Sequence, residues 1–107
     1  MELMTNDIRR VIPTLDATAE QSAKQQRVYL KLFDPTGRGT WYATSFDGKD
    51  MLFGYVVSPI GSDCDELGYF SLQELVEVRC RFGNKIERDL FWDDKTTLDM
   101  VMDGRKI

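Results

Sequence analysis

Histidine is absent from this chain of 107 residues, and cysteine and proline are scarce, with two and three copies. Without histidine, the Ser-His and Cys-His pairs that activate nucleophiles are excluded. Two cysteines, Cys64 and Cys80, are too few for a disulfide framework and, without histidine partners, for a zinc site. The sequence therefore predicts a protein that is not an enzyme, with no catalytic residue and no cofactor.

Long apolar runs are also missing, because no stretch approaches the roughly 18 residues that a membrane-spanning helix requires. The N-terminus, MELMTNDIRR, carries acids and arginines where a signal peptide has an apolar stretch. We therefore expect a cytoplasmic protein with no membrane partner. Hydrophobic residues make up 42% of the chain and aromatic residues 11%, which predicts a single globular domain over residues 1–107.

Charge is unevenly distributed along the chain, whose formal net charge is −4. Residues 1–60 carry seven basic and seven acidic side chains, whereas residues 61–107 carry seven basic and eleven acidic ones. An acidic second half repels nucleic acid and attracts basic protein surfaces. Solubility alone also explains such a charge, so both interpretations stay open.

Three segments alternate in the way that is typical of β-strands or are rich in strand-forming residues: RVYLKLFD, TWYATSFD and MLFGYVVS. In the first segment, Val28, Leu30 and Leu32 are predicted to point to the same side of a sheet. DGKD is a turn signal, in which Gly48 supplies a positive φ. Gly54, inside the third segment, indicates a bulge or a close approach by a bulky neighbour. The short connections between these segments predict an antiparallel meander.

Helical signals flank this meander. MTNDIRRVIPTL predicts a short N-terminal helix, and SLQELVEVRC opens with a capping box in which Ser71 is the cap. PIGSDCDELGYF is expected to be a loop, IERDLFWD a fourth strand and DKTTLDMVMDG a last helix. The predicted fold class is α+β: an antiparallel sheet of three to four strands, with helices packed on one face, in the order α-β-β-β-α-β-α. Residues 16–26, which are small and polar, are a candidate flexible segment.

The stretch FDPTGRG, between the first two predicted strands, has the composition of a turn. Asp34 can accept backbone N–H groups further along the turn, a proline follows it, and Gly37 is expected in the left-handed conformation. A plain hairpin bend explains these residues. The alternative is a ligand-binding tip, in which Asp34, Thr36 and Gly37 form a nest and Arg38 grips a phosphate or carboxylate.

Three stretches together resemble the signatures of a small bacterial family, domain-of-unknown-function family 2958: FDPTGRGTWY, ELGYFSLQEL and FGNKIERDLFW. The resemblance spans residues 2–93 and implies no established activity. It implies carriage on plasmids, integrative elements and phages, whose cargo often blocks host defence. The chain departs from the family pattern in residues 16–26 and at Phe91, where many relatives are expected to carry a polar residue or histidine; this second departure argues against catalysis there.

The function that we expect first is a non-enzymatic protein-interaction module of a mobile genetic element. It would inhibit a host defence complex, of the anti-CRISPR or anti-restriction type, by covering a basic surface of that nucleoprotein complex with its acidic second half. The candidate partner-binding residues are Asp93, Asp94, Asp99, Asp103, Glu66 and Tyr69.

Two alternatives use other charged residues. A nucleic-acid-binding accessory protein of plasmid transfer would use Arg79, Arg81, Lys85 and Trp41, although salt bridges to neighbouring acids are expected to neutralise this stretch, so direct nucleic-acid binding is not expected. A metal-dependent enzyme would use carboxylate ligands, but a charged strand edge explains them as well, and no metal site is expected. The two acidic clusters concerned are Asp63, Asp65 and Glu66, and Glu87, Asp89, Asp93 and Asp94.

Overall fold

The computed structural model describes residues 1–104, which contain one five-stranded antiparallel sheet. In space the strands lie in the order β4-β3-β2-β1-β5, so the first four form a meander and the last returns to the edge beside β1. The strands are β1 Leu30–Phe33, β2 Thr40–Phe46, β3 Met51–Val57, β4 Glu66–Ser71 and β5 Glu87–Arg88. The predicted α+β class and the antiparallel meander are confirmed.

Four short helices flank the sheet within residues 1–104: α1 Asn6–Val11, α2 Leu15–Thr18, α3 Leu72–Glu77 and α4 Leu98–Met102. The Ser71 hydroxyl accepts the backbone N–H of Glu74 at 3.1 Å, which confirms the predicted start of α3. Thr5 and Thr14 cap α1 and α2 with the same kind of bond. None of these helices is long and apolar enough to cross a membrane.

The predicted number and order of the elements are wrong in detail, because the order over the described residues is α-α-β-β-β-β-α-β-α. The additional strand is β4, whose sequence ELGYFS was assigned to a loop and which pairs with β3 along its whole length. The predicted strand IERDLFWD is reduced to the two residues of β5. It ends there because the chain turns at Asp89, whose carboxylate accepts the N–H of Phe91 at 2.9 Å.

Both faces of the sheet are covered, so the prediction that helices pack on one face is wrong. On the second face, α4 packs over the sheet, and Val28, Tyr42, Leu98 and Val101 form a small core. Adjacent residues of β2, such as Tyr42 and Ala43, point to opposite sides and are both buried. The first face packs against α1, α3 and the N-terminal residues, and its core is Leu3, Met4, Ile12, Leu30, Leu32, Ala43, Phe46, Leu52, Phe70, Leu72, Leu75 and Ile86.

The predicted grouping of Val28 with Leu30 and Leu32 is also wrong, since Val28 belongs to the second face. Its backbone N–H does not join the β1–β2 ladder but bonds the carbonyl of Thr96 at 2.8 Å. The segment that leads to α4 therefore lies beside the start of β1, and Val28 packs with Leu98 and Val101 of α4.

Gly54 lies where β3 approaches β2 most closely. A Cβ atom at this position would lie 2.7 Å from the carbonyl carbon of Tyr42 and would overlap its oxygen. The register of the β2–β3 pair shifts between Ala43 and Ser45, which makes Thr44 the extra residue of a β-bulge. The close approach predicted for Gly54 is made by the backbone of β2 rather than by a bulky side chain, and the bulge lies opposite it in β2 rather than at Gly54 itself. The predicted positive φ of Gly48 is confirmed, at +87°.

Residues 16–26 include most of α2 and a turn that is hydrogen-bonded to the sheet. Gln26 is buried, and its amide oxygen accepts the Thr44 hydroxyl at 3.0 Å. Its amide nitrogen donates to the carbonyl of Gln21 at 2.9 Å. These bonds place the segment against the bulge of β2.

Gly54 and Gly68 pair across β3 and β4 and offer a matched pair of substitutions. Gly54→Ala forces a methyl group into the backbone of β2 and is expected to lower the free energy of unfolding by about 3 kcal/mol. The methyl group of Gly68→Ala meets no atom within 4 Å, so we expect a change below about 1 kcal/mol. Chemical denaturation measures both variants, and equal stabilities would contradict the close approach of β2 and β3.

Candidate functional site

The loop between β1 and β2, residues 34–39, is closed around the carboxylate of Asp34. One oxygen of Asp34 accepts both the backbone N–H and the hydroxyl of Thr36, each at 2.8 Å. The N–H bond from Thr36 is the main cause that lowers the pKa of Asp34, and the Cys80 thiol also bonds this carboxylate. Burial first, and then the Asp34 carboxylate, raise the pKa of that thiol.

Gly37 does not adopt the predicted left-handed conformation. It is small for a different reason: a Cβ atom there would lie 2.8 Å from a carboxylate oxygen of Asp34. The loop therefore has the hydrogen bonds of the predicted turn, with glycine selected by crowding against Asp34 rather than by backbone torsion.

Arg38 is held by Asp65, on the connection between β3 and β4. Its two terminal nitrogens donate to the two carboxylate oxygens at 3.0 and 3.1 Å. Asp65 also accepts the backbone N–H of Ser58 at 2.7 Å, and Arg38 donates to the Ser58 carbonyl. The Arg38 guanidinium first, and then the Ser58 N–H, hold the pKa of Asp65 below its usual value. Arg38 thus binds a carboxylate of the chain itself, whereas the alternative prediction gave it a ligand phosphate or carboxylate.

A groove on the side of the sheet that carries Tyr42 is lined by Lys31. Two depressions of about 430 and 340 Å³ share Lys31 and Phe33 as lining residues. The Lys31 ammonium lies 5.7–5.9 Å from the ring centres of Phe33, Tyr42 and Trp92. Asp89 is 3.7 Å from it. This arrangement presents one cation, surrounded by aromatic rings, to any group that enters the groove.

No sequence pattern predicted this groove. Its signal is the single lysine in the apolar stretch of β1, directly opposite Tyr42 in β2. Burial is the main cause that raises the pKa of Tyr42 to about 12, so this phenol remains a neutral donor in the groove wall.

Residues 89–94 form a loop in which two exposed apolar side chains stand among carboxylates, and we call it the acidic–aromatic loop. Phe91 is 94% exposed and Leu90 is 61% exposed, and both line the depression of about 340 Å³. The loop is fixed on both sides of the ring: Asp89 accepts the Phe91 N–H, and the Trp92 indole donates to a backbone carbonyl at 2.8 Å. The course of the loop on both sides of Phe91 is therefore fixed by hydrogen bonds.

The four C-terminal acids predicted to bind a partner fall into two groups. Asp93 and Asp94 lie on the acidic–aromatic loop, where Asp93 accepts a backbone N–H of its own turn and Asp94 pairs with Arg27 at 3.2 Å. Asp99 lies in α4 and accepts the hydroxyl of the preceding cap residue, and Asp103 is the C-cap of the same helix. At least three of these carboxylates therefore hold local structure in addition to contributing negative charge.

Glu66 and Tyr69, the other two predicted partner-binding residues, lie on β4 at the opposite edge of the sheet from β5. Both are exposed, and Tyr69 packs edge-on against Phe53 with ring centres 5.0 Å apart. Three strands separate β4 from β5, so the structure does not bring Glu66 and Tyr69 to the acidic–aromatic loop.

Residues 79–85 form a hairpin before β5, which we call the basic hairpin. Arg79 and Lys85 pair as an antiparallel bridge at its base. The expectation that acids neutralise this stretch is wrong, because no ion pair over residues 1–104 includes a basic residue of the hairpin. Trp41, grouped with these cations from the sequence, packs partly buried against the core of the first face. The ion pairs are Arg10–Asp7, Arg27–Asp94, Lys31–Asp89 and Arg38–Asp65.

The two acidic clusters do not converge. Over residues 1–104, no group of three or more cysteine, aspartate and glutamate side chains is placed so that it could hold a metal ion. Asp65, Asp89 and Asp94 instead turn toward separate basic partners. Ion pairing within the fold thus disperses residues that the sequence places close together.

The Arg38–Asp65 pair predicts a response to acid. Because the folded pKa of Asp65 lies below 3.8, the pair stabilises the fold fully above about pH 3.8, and this contribution is lost as the pH falls through the folded pKa. Asp65→Asn is expected to lower the melting temperature near pH 7 and to reduce its fall below about pH 4. Thermal melts test this, with exposed Asp63→Asn as the control. Superimposable acid profiles for wild type and Asp65→Asn would contradict the assignment.

Comparison with known proteins gives a family and no activity. The model of the family described as protein of unknown function (DUF2958) matches residues 3–104. No curated protein and no solved structure matches the chain. The matched range includes the β1–β2 loop, the Lys31 groove, the basic hairpin and the acidic–aromatic loop, so all of these belong to the family domain. The chain is therefore a member of the DUF2958 family of proteins of unknown function.

Proposed function

We propose that the chain is a non-enzymatic protein-interaction module that inhibits a nucleoprotein complex of host defence, of the anti-CRISPR or anti-restriction type. The observation that carries this proposal is Phe91, 94% exposed beside Leu90 on the rim of a depression of about 340 Å³. Exposed aromatic anchors next to a concave surface are typical of the residues that dominate protein–protein binding energy.

Because Phe91 and Leu90 are exposed, they do not contribute the free energy of burial to the stability of the isolated chain. Burial of a side chain of this size contributes about 1.5–3 kcal/mol, which Phe91 forgoes in the isolated chain. The hydrogen bonds on both sides of Phe91 fix the course of the loop. A partner that covers Phe91 and Leu90 would recover this free energy on binding, with little ordering of the loop backbone.

The charge around these anchors favours a basic partner. Asp93 and Asp94 follow Phe91 closely in the loop, and Asp99 and Asp103 continue the negative charge along α4. A negative rim steers association with a positive surface and suppresses contact with other partners. Proteins that hold nucleic acid have such positive surfaces. The carriage on mobile elements that the family resemblance implies is our reason to choose a defence complex among them.

Phage plating on bacteria that carry a CRISPR or restriction system tests this function. Expression of the wild-type chain is expected to restore plating, and Phe91→Ser should abolish the effect because the anchor is lost. Ile60→Ser is the matched control, since Ile60 is 86% exposed on the connection between β3 and β4. Full protection by Phe91→Ser would exclude the loop, and failure of the wild type against every system would exclude the function.

The contribution of the acidic residues is tested separately, by measuring the affinity of the chain for the defence protein that the plating experiment identifies. Asparagine at the four C-terminal acids keeps an acceptor oxygen for local turns but removes the charge, so we expect about tenfold weaker binding and a flatter dependence on salt. Surface plasmon resonance at several salt concentrations measures both. Equal weakening by a control variant would show that net charge, and not this surface, acts. The control neutralises the exposed acids Asp16, Glu20, Asp63 and Glu77.

A further inference from the structure

The tip of the basic hairpin is a two-residue turn with unusual chemistry. Phe82 has φ +59° and ψ +23°, and Gly83 has φ +75°. The backbone N–H of Asn84 closes the turn on the carbonyl of Arg81 at 3.2 Å, and the N–H of Cys80 bonds the Asn84 carbonyl at 2.6 Å. Two successive positive φ values define a type I′ turn, whose first position favours Asn, Asp or Gly.

Phe82 is the one non-glycine residue with positive φ among residues 1–104. It is also 90% exposed. Phe82 therefore has an unfavourable backbone conformation and, in addition, gains no free energy from burial of its ring. The contact that the structure gives the ring is the Arg81 guanidinium, 5.6 Å from its centre. Neither turn geometry nor packing explains a phenylalanine here. Strained residues that the fold nevertheless maintains often mark functional sites, and the face of this ring is open to a ligand.

Three cations of this hairpin, Arg79, Arg81 and Lys85, form no ion pair in the described part of the chain. Arg79 donates to the carbonyls of Val76, Glu77 and Val78 and so completes the end of α3. The tip is therefore locally positive on a protein whose net charge is −4.

The base of the hairpin is fixed to the sheet. Ile86, directly after it, is buried in the core of the first face, and Cys80, at its base, packs partly buried against the same core. The ring and its cations are thus presented on a short, anchored turn. A preorganised tip of this kind loses little conformational entropy when it binds.

We propose that the basic hairpin binds single-stranded nucleic acid, with one base stacked on Phe82 and neighbouring phosphates held by Arg79, Arg81 and Lys85. An exposed ring beside cations is the combination that single-strand-binding proteins use, because stacking is open to any unpaired base. In a duplex, base faces are covered by their neighbours, which leaves only the phosphate contacts. The proposal uses a surface and an observation different from those of the protein-interaction function and does not depend on it.

The experiment measures fluorescence anisotropy of a labelled oligothymidylate of about 12 nucleotides, within the usual range of single-strand site sizes. With three phosphate contacts, the slope of log affinity against log salt is expected to be about −2 between roughly 50 and 200 mM salt. Phe82→Asn should weaken binding about fivefold or more. Asparagine suits this turn position, so the variant should melt at the same or a higher temperature, which separates loss of binding from loss of folding.

Three comparisons decide what is recognised. An abasic strand of the same length should bind wild type and Phe82→Asn equally, because only the stacking contact is missing. Combined Arg81→Gln and Lys85→Gln should reduce the salt slope, whereas combined Lys24→Gln and Lys49→Gln, at exposed lysines elsewhere, should not. Duplex of equal length should bind more weakly than the single strand, and so should an oligoglutamate peptide.

The proposal is overturned if wild type does not bind the oligothymidylate, or if Phe82→Asn binds it as tightly as wild type. Equal affinity for duplex and single strand would show that the hairpin binds phosphates only, without stacking of a base on Phe82. Equal affinity for oligoglutamate, with no effect of Phe82→Asn, would identify the hairpin as a surface for acidic protein segments instead.

Discussion

The close approach of β2 and β3 at Gly54 is the constraint on which the rest of the fold depends. Ala43, Gly54 and Gly68 pair in one row across three strands, and in this row a Cβ atom at Gly54 would overlap the backbone of β2. The bulge at Thr44 lies beside this row, and its hydroxyl bonds both the Phe53 carbonyl and Gln26. The four helices, of four to six residues each, are too short to be stable alone and rely on the sheet that this row holds together.

Much of the fold follows from local sequence signals. The alternation of β1, the turn at Asp47–Gly48 and the Ser71 cap are each determined by residues within a few positions of one another, and the structure has all three. β4 was missed because an edge strand buries little and its apolar residues do not alternate cleanly. Leu67 and Tyr69 remain exposed there, and the strand is held by its backbone pairing to β3.

The site could be predicted less well, because its geometry depends on contacts between distant segments. Arg38 and Asp65 are 27 positions apart in the sequence, and Arg27 and Asp94 are 67 apart. No local pattern shows which acid a given arginine meets. As a result, some acids that the sequence suggests as a free anionic surface form ion pairs with arginines of the same chain. Among residues 1–104, the two aromatic side chains that are at least 90% exposed are Phe91 and Phe82.

Phe82 precedes β5 in the sequence and Phe91 follows it. The two residues of β5 pair with Leu32 and Phe33 of β1. The basic hairpin precedes β5 and the acidic–aromatic loop follows it, so one short strand fixes the positions of two oppositely charged surfaces. A nucleoprotein complex offers both kinds of counterpart, a positive protein surface and an unpaired strand. On the two proposals, each contact alone would be small, but two contacts joined through β5 would act at a high effective concentration toward the same target. The pairing of β5 with β1 would then determine selectivity, because a free nucleic acid or a free basic protein satisfies only one of the two surfaces.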